Sequence, residues 1–172
     1  MLYNSILEIE KQHPDFNRDG FSSRQLIDFV KDNFKIHCIK DLSSTYAYIV
    51  KYKDKRYIFY NPQQAETNLV LSLGHEVGHV LLNHNLNKEI TPFNMFAKNG
   101  DEKDAGIVGF LFWLPTPELE RIKRYGELCI EELYNYVSNC DMTHDEAYKI
   151  CNGRLRILKA LERKYPINKN KV

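Results

Sequence analysis

The residues best suited to chemistry lie in one short segment, 73–80. It reads Leu-Gly-His-Glu-Val-Gly-His-Val and contains the pattern HExxH as His75, Glu76 and His79. On a helix, residues four apart lie on one face about 6 Å apart along the axis, so two imidazoles can bind one tetrahedral ion. Glu76 lies about 100° further round, where its carboxylate can take a proton from a water molecule that the ion has acidified. Residue types and spacing therefore both predict metal-dependent hydrolysis.

The segment is expected to lie on a helix with a buried face. Between positions 64 and 83, six apolar residues recur at helical spacing and form one stripe, Leu69, Val70, Leu73, Val77, Val80 and Leu81. Gly74 and Gly78 lie on the same helix, where each lowers the helix propensity by about 1 kcal/mol. They indicate a close approach of another backbone, either over the metal or in simple packing.

Two histidines and a water molecule leave one protein ligand to be found. A third histidine in the metzincin pattern HExxHxxGxxH is excluded, because the required positions hold Leu82 and Asn85. His84 lies roughly 140° round the helix from His79 and is interpreted as a residue that interacts favourably with the helix C-terminal dipole. The remaining candidates are three acids at the start of the next predicted helix, Asp101, Glu102 and Asp104. Acids in a first helical turn are also favoured by the dipole without any metal.

Three segments carry a family resemblance: Phe59-Tyr-Asn-Pro62, HExGH at 75–79 followed by two leucines, and the stretch 102–115 that ends in Leu-Pro. Together they resemble the ImmA/IrrE family of zinc metallopeptidases, whose members commonly read HELGH and then, about 25 residues later, E-A-N-x-F-A-x-x-L-L-M-P. The resemblance covers roughly residues 22–120.

Aligned on Pro115, the glutamate ligand of the family falls on Asp104 and its asparagine falls on Gly106. Aspartate is one methylene shorter, so its helix must approach about 1.5 Å closer to the ion, which Gly106 permits. In the alternative, Glu102 is the third ligand and Asp104 accepts a hydrogen bond from a ligating histidine. The first arrangement is preferred. The resemblance implies Zn²⁺ as cofactor, held by His75, His79 and Asp104 or by His75, His79 and Glu102.

The expected fold class is α+β and zincin-like, with a small antiparallel or mixed sheet packed on the HExxH helix and a helical C-terminal part. Residues 1–125 are expected to form the metallopeptidase domain and residues 126–172 the helical C-terminal region. Strands are predicted at 35–40, 45–52 and 56–60, with a turn at 53–55. Zincin substrates bind along a sheet edge, which either 45–52 or 56–60 is expected to provide.

Helices are predicted from cap and stop signals. Ser22 or Ser23 can cap the first helix, Asp101 a helix that Pro115 stops, and Thr116 the next one. A capping box at 143–146 opens a basic terminal helix.

Composition and charge are those of one globular domain. The 172 residues include 24 Lys and Arg, 23 Asp and Glu, and 43% hydrophobic residues. The four cysteines form no CxxC pair, the first residues lack a basic segment followed by an apolar run, and the longest nearly unbroken apolar stretch, 105–114, is half of a membrane span. We expect a reduced, cytoplasmic protein without a membrane partner.

The resemblance also implies a partner. Family members typically act inside bacterial cells, where they cut a helix-turn-helix repressor and so derepress genes of a mobile element or a stress response. The expected function is zinc-dependent endopeptidase activity on such a repressor, with Glu76 as the catalytic residue.

Two further patterns are weighed against this interpretation. Residues 149–172 hold eight Lys and Arg and one Glu, and 127–160 have the outline of a helix-turn-helix, so a DNA-binding regulator with a vestigial or structural metal site is the alternative. Residues 15–20 reproduce the first half of an EF-hand loop, but Leu26 stands where a bidentate glutamate is required. A plain turn is the preferred interpretation there.

Overall fold

The computed structural model describes residues 2–85, 100–122, 129–137 and 144–164. Contacts divide the chain into two compact units, Met1–Pro115 and Thr116–Val172. The boundary expected from the sequence lay at 125. Among the described residues, no helix combines the length and the apolar character that crossing a membrane requires.

The first unit combines helices with a small sheet, which is the predicted α+β class. Its described elements are α1 Leu2–Gln12, α2 Ser23–Phe34, β1 His37–Lys40, β2 Tyr48–Tyr52, β3 Lys55–Tyr60, α3 Glu66–Leu81 and α4 Gly100–Trp113. Ser22 caps α2 in a reciprocal capping box with Gln25, as its position before an apolar repeat predicted. Helix α1 was not predicted, although Ile6 and Ile9, three residues apart, form its buried face.

The sheet is mixed, with the strand order β1-β3-β2. Strand β2 pairs antiparallel with β3, with Ile49 opposite Ile58, and Lys53 adopts a left-handed φ of 54° in the turn between them. Strand β1 pairs in parallel with the other side of β3. The expectation that 56–60 offers a free edge is therefore wrong, because β3 is the central strand, whereas β2 lies at an edge.

Helix α3 is the centre of the first unit. Every residue from 69 to 80 is buried, so the helix is enclosed on all sides and not only along its apolar stripe. It contacts α2, β2 and β3, and it packs most extensively against α4.

Small residues determine how closely α3 and α4 approach. A Cβ atom built on Gly74 would lie 2.9 Å from the Cα of Gly109, and one built on Gly78 would lie 2.7 Å from the carbonyl oxygen of Ala105. The two backbones are therefore in direct contact. Both glycines of α3 serve this packing, one of the two alternatives that the sequence left open.

The second unit is helical where it is described, with α5 Thr116–Ile122, α6 Ile130–Val137 and α7 His144–Lys164. Its buried residues include Leu119, Leu133 and Cys151. Arg154 is buried as well and donates from Nη2 to Oγ1 of Thr116 at 3.2 Å, and burial lowers its pKa to about 9. One of the basic residues that suggested DNA binding thus faces the interior. The first residue of the predicted capping box and the last two lysines lie outside the described residues.

Candidate metal centre

Three side chains converge at the contact between α3 and α4. The Nε2 atoms of His75 and His79 lie 3.1 Å apart. Oε2 of Glu102, on the first turn of α4, lies 3.0 Å from Nε2 of His75 and 3.6 Å from Nε2 of His79. Among the described residues, these three form the group of potential metal ligands that lie together.

The spacing of these atoms fits a small tetrahedral cation. With metal-to-ligand bonds of 2.0–2.1 Å, any two ligands of a tetrahedral site lie about 3.3 Å apart. The three observed separations, 3.0, 3.1 and 3.6 Å, fall around that value. The donor set of two imidazoles and one carboxylate is also one that catalytic zinc sites use, leaving one position open. The residues present therefore fit a zinc ion.

Burial prepares the two imidazoles for this role. The side chains of His75 and His79 are only 2% and 10% exposed, whereas that of Glu102 is 29% exposed. Burial lowers the pKa of both histidines, and the Glu102 carboxylate only partly opposes this effect. Burial therefore favours the neutral form of both rings, which keeps the nitrogen lone pair that a metal ligand requires.

Glu76 lies beside this group and is held from another direction. Its Oε2 accepts a hydrogen bond from the backbone N–H of Ile49, on edge strand β2, at 3.1 Å. Burial raises the pKa of Glu76 to about 8, the hydrogen bond from Ile49 opposes that shift, and the neighbouring Glu102 adds to it. A carboxyl group with such a pKa changes protonation near neutral pH, as a group that accepts and returns a proton must.

The three acids predicted as candidate ligands have separate places. Glu102 joins the histidines, Asp101 approaches the His84 ring, and Asp104 is not part of the ligand group. Residues 102 and 104 are two positions apart on α4, about 200° around its axis, so only one can face α3 at this point. Asp104 is preferred from the sequence because the family pattern, aligned on Pro115, places the acid at position 104. In the structure the acid beside the histidines lies two positions earlier, at Glu102.

Two contacts near the site are not predicted by the sequence. No sequence pattern predicts the hydrogen bond from the N–H of Ile49 to Glu76, because the register between β2 and β3 determines which backbone groups of β2 point away from β3. The ring of His84 contacts that of His79, with the two Nδ1 atoms 3.0 Å apart. Asn83 could have predicted a turn here, since asparagine favours the left-handed conformation after a helix, and its φ is 54°.

The half EF-hand segment forms a turn at residues 14–18. The Asn17 side chain donates to Oε1 of Glu10 at 2.7 Å, and Phe16 is buried. The preferred interpretation as a turn agrees with this geometry.

The sequence also matches a known protein family. The peptidase M78 family model, described as the IrrE N-terminal-like domain, matches residues 32–136, which include the two histidines, Glu76 and Glu102. No curated protein and no solved structure matches the chain significantly.

Proposed function

Because the chain belongs to the ImmA/IrrE family of metallopeptidases, whose domain model covers more than half of it, we propose that it is a zinc-dependent endopeptidase of the HExxH type. The observation that carries this proposal is the convergence of His75, His79 and Glu102 within 3.6 Å of one another, next to the buried carboxyl of Glu76.

We assign the three ligand positions to His75, His79 and Glu102. The two histidines present Nε2 from successive turns of α3, and Glu102 reaches them across the glycine contact. The glutamate side chain spans the remaining distance, so the closer helix approach that an aspartate ligand at 104 would require is not needed.

The reaction follows from the positions of the protein groups. When bound, zinc supplies Lewis-acid chemistry, polarising a carbonyl oxygen and acidifying a water molecule. Glu76 takes the proton of the attacking water as the new C–O bond forms, and it delivers that proton to the nitrogen of the leaving amine as the C–N bond breaks. The hydrogen bond from Ile49 keeps its carboxylate oriented through both transfers.

Strand β2 is the proposed docking edge for the substrate backbone. It is an edge strand of the sheet, and its residue Ile49 contacts the catalytic carboxylate directly. A substrate segment that pairs with this edge as an added strand would pass the site in extended form. This supports cleavage within a chain over removal of terminal residues.

The proposed substrate is a helix-turn-helix repressor, which the resemblance to the ImmA/IrrE family implies. The test is incubation of the zinc-loaded protein with the repressor encoded beside its own gene. Cleavage at one bond is expected, with loss of cleavage on adding a chelator and recovery on restoring zinc. Nanomolar, sequence-selective DNA binding by this protein with no metal-dependent cleavage would favour the regulator alternative instead.

A further inference from the structure

The chain reverses direction where α3 ends. Asn83 has a left-handed φ of 54°, and the N–H of His84 donates back to the carbonyl oxygen of His79 at 2.9 Å. This turn brings His84 back alongside the last turn of α3. The 140° separation expected for a continuing helix therefore does not apply to His84.

The reversal places the His84 ring against the side of His79 that faces away from the ligand group. Nδ1 of His84 lies 3.0 Å from Nδ1 of His79, whereas Nε2 of His79 lies 3.1 Å from Nε2 of His75. On its other side, Nε2 of His84 lies 3.9 Å from Oδ1 of Asp101, which precedes Glu102 on α4. The His84 side chain is 12% exposed.

The donor and acceptor roles of His79 and His84 follow from the role of His79 as a metal ligand. If Nε2 of His79 binds the metal, its ring proton is on Nδ1, and that N–H donates to Nδ1 of His84. Nδ1 of His84 then carries no proton, so its own ring proton is on Nε2, on the side of Asp101. In this arrangement each of the two facing Nδ1 atoms has a role that complements the other, one as donor and one as acceptor.

We propose that His84 is a positioning residue for the metal centre: it fixes the tautomer and the ring orientation of His79. The inference rests on the metal site proposed above. Ligating histidines commonly donate their second N–H to such an acceptor, and its removal typically lowers metal affinity 10- to 100-fold. Asp101, on the first turn of α4, lies near the other side of the His84 ring, 3.9 Å from its Nε2.

The test compares two replacements of His84 by zinc affinity, measured in competition with a chromophoric chelator. His84→Phe keeps a ring and removes the acceptor, so we expect affinity to fall by about tenfold or more. His84→Gln restores an amide oxygen that can accept from Nδ1–H of His79, so we expect affinity within about threefold of wild type. His37→Phe, at an exposed position on β1, is the matched control and should leave affinity unchanged.

The outcomes separate the inference from its premise. Failure of the wild-type protein to bind zinc would refute the metal site itself. Zinc binding by wild type and His84→Phe with equal affinity would refute only the role of His84, as would equal losses in the Phe and Gln variants. If His84→Phe does not fold, the imidazole ¹H–¹⁵N spectrum of the zinc-loaded wild type decides: an unprotonated Nδ1 of His84, which can accept from His79, is expected, and a proton on Nδ1 of His84 contradicts the inference.

Discussion

The two sides of α3 hold the site by different means. On the side of α4, Gly74 and Gly78 allow direct backbone contact, and this contact brings Glu102 to the histidines. On the side of the sheet, one hydrogen bond from Ile49 holds Glu76. The spacing of two helices thus determines the ligand group, and a strand edge determines the orientation of the base. Changes on the first side should alter metal binding and stability, whereas changes on the second should alter turnover alone.

The largest effect is expected for Glu76→Gln, on the sheet side. The amide keeps the size of the side chain and an oxygen that accepts from Ile49, but it cannot take a proton from water. We expect kcat to fall by about 10²- to 10⁴-fold, with zinc affinity within about threefold of wild type. Steady-state kinetics and chelator competition measure the two quantities.

Glu66→Gln is the matched control for this variant. Glu66 lies on the same helix, where its carboxylate accepts hydrogen bonds from the backbone and side chain of Ser23. Its replacement should leave kcat unchanged. Wild-type cleavage by Glu76→Gln would remove Glu76 from the mechanism.

The next effect concerns the two acids of α4. Glu102→Ala should lower zinc affinity more than about a hundredfold, because it removes a ligand and not merely a group that orients one. Asp104→Ala, two positions along the same helix and outside the ligand group, should change affinity less than about threefold. The opposite order of these two affinities would return the third-ligand role to Asp104.

The smallest effect is expected from Gly78→Ala, on the α4 side. The added Cβ would meet the Ala105 carbonyl oxygen at 2.7 Å, so α4 must shift, with a loss of about 1–3 kcal/mol in the free energy of unfolding. Gly100→Ala on α4 is the control, since its Cβ would meet no atom of the described part of the chain within 4 Å and alanine favours the helix. Urea denaturation with a chelator present, which removes the contribution of bound metal, measures both. Equal stability of the two variants would mean that the close contact does not constrain α4.

Local patterns predicted much of this unit from the sequence. The periodicity of α3, the cap at Ser22 and the Pro115 stop depend on neighbouring residues, and the structure contains each of these helices. The pairing of β1 with β3 is a long-range contact between strands on either side of β2, and no local pattern reveals which strand is central.

The features of the site also fall into those that a local pattern predicts and those that depend on the folded structure. The spacing of His75, Glu76 and His79 identified them as candidates, and the structure places them together. The proposal of Glu102 instead of Asp104 as third ligand depends on the rotation of α4 about its axis, which no local pattern in the sequence gives and which the contact with Gly74 and Gly78 constrains. The contact between His84 and His79 depends on the left-handed backbone of Asn83, just after the end of α3, and a helical pattern does not predict that conformation.

The most direct test of the metal centre is anomalous diffraction at the zinc absorption edge from crystals of the zinc-loaded protein. The account predicts one anomalous peak within about 2.0–2.2 Å of Nε2 of His75, Nε2 of His79 and a carboxylate oxygen of Glu102. A peak bound by Asp104 in place of Glu102, or no peak between the two histidines, would contradict it.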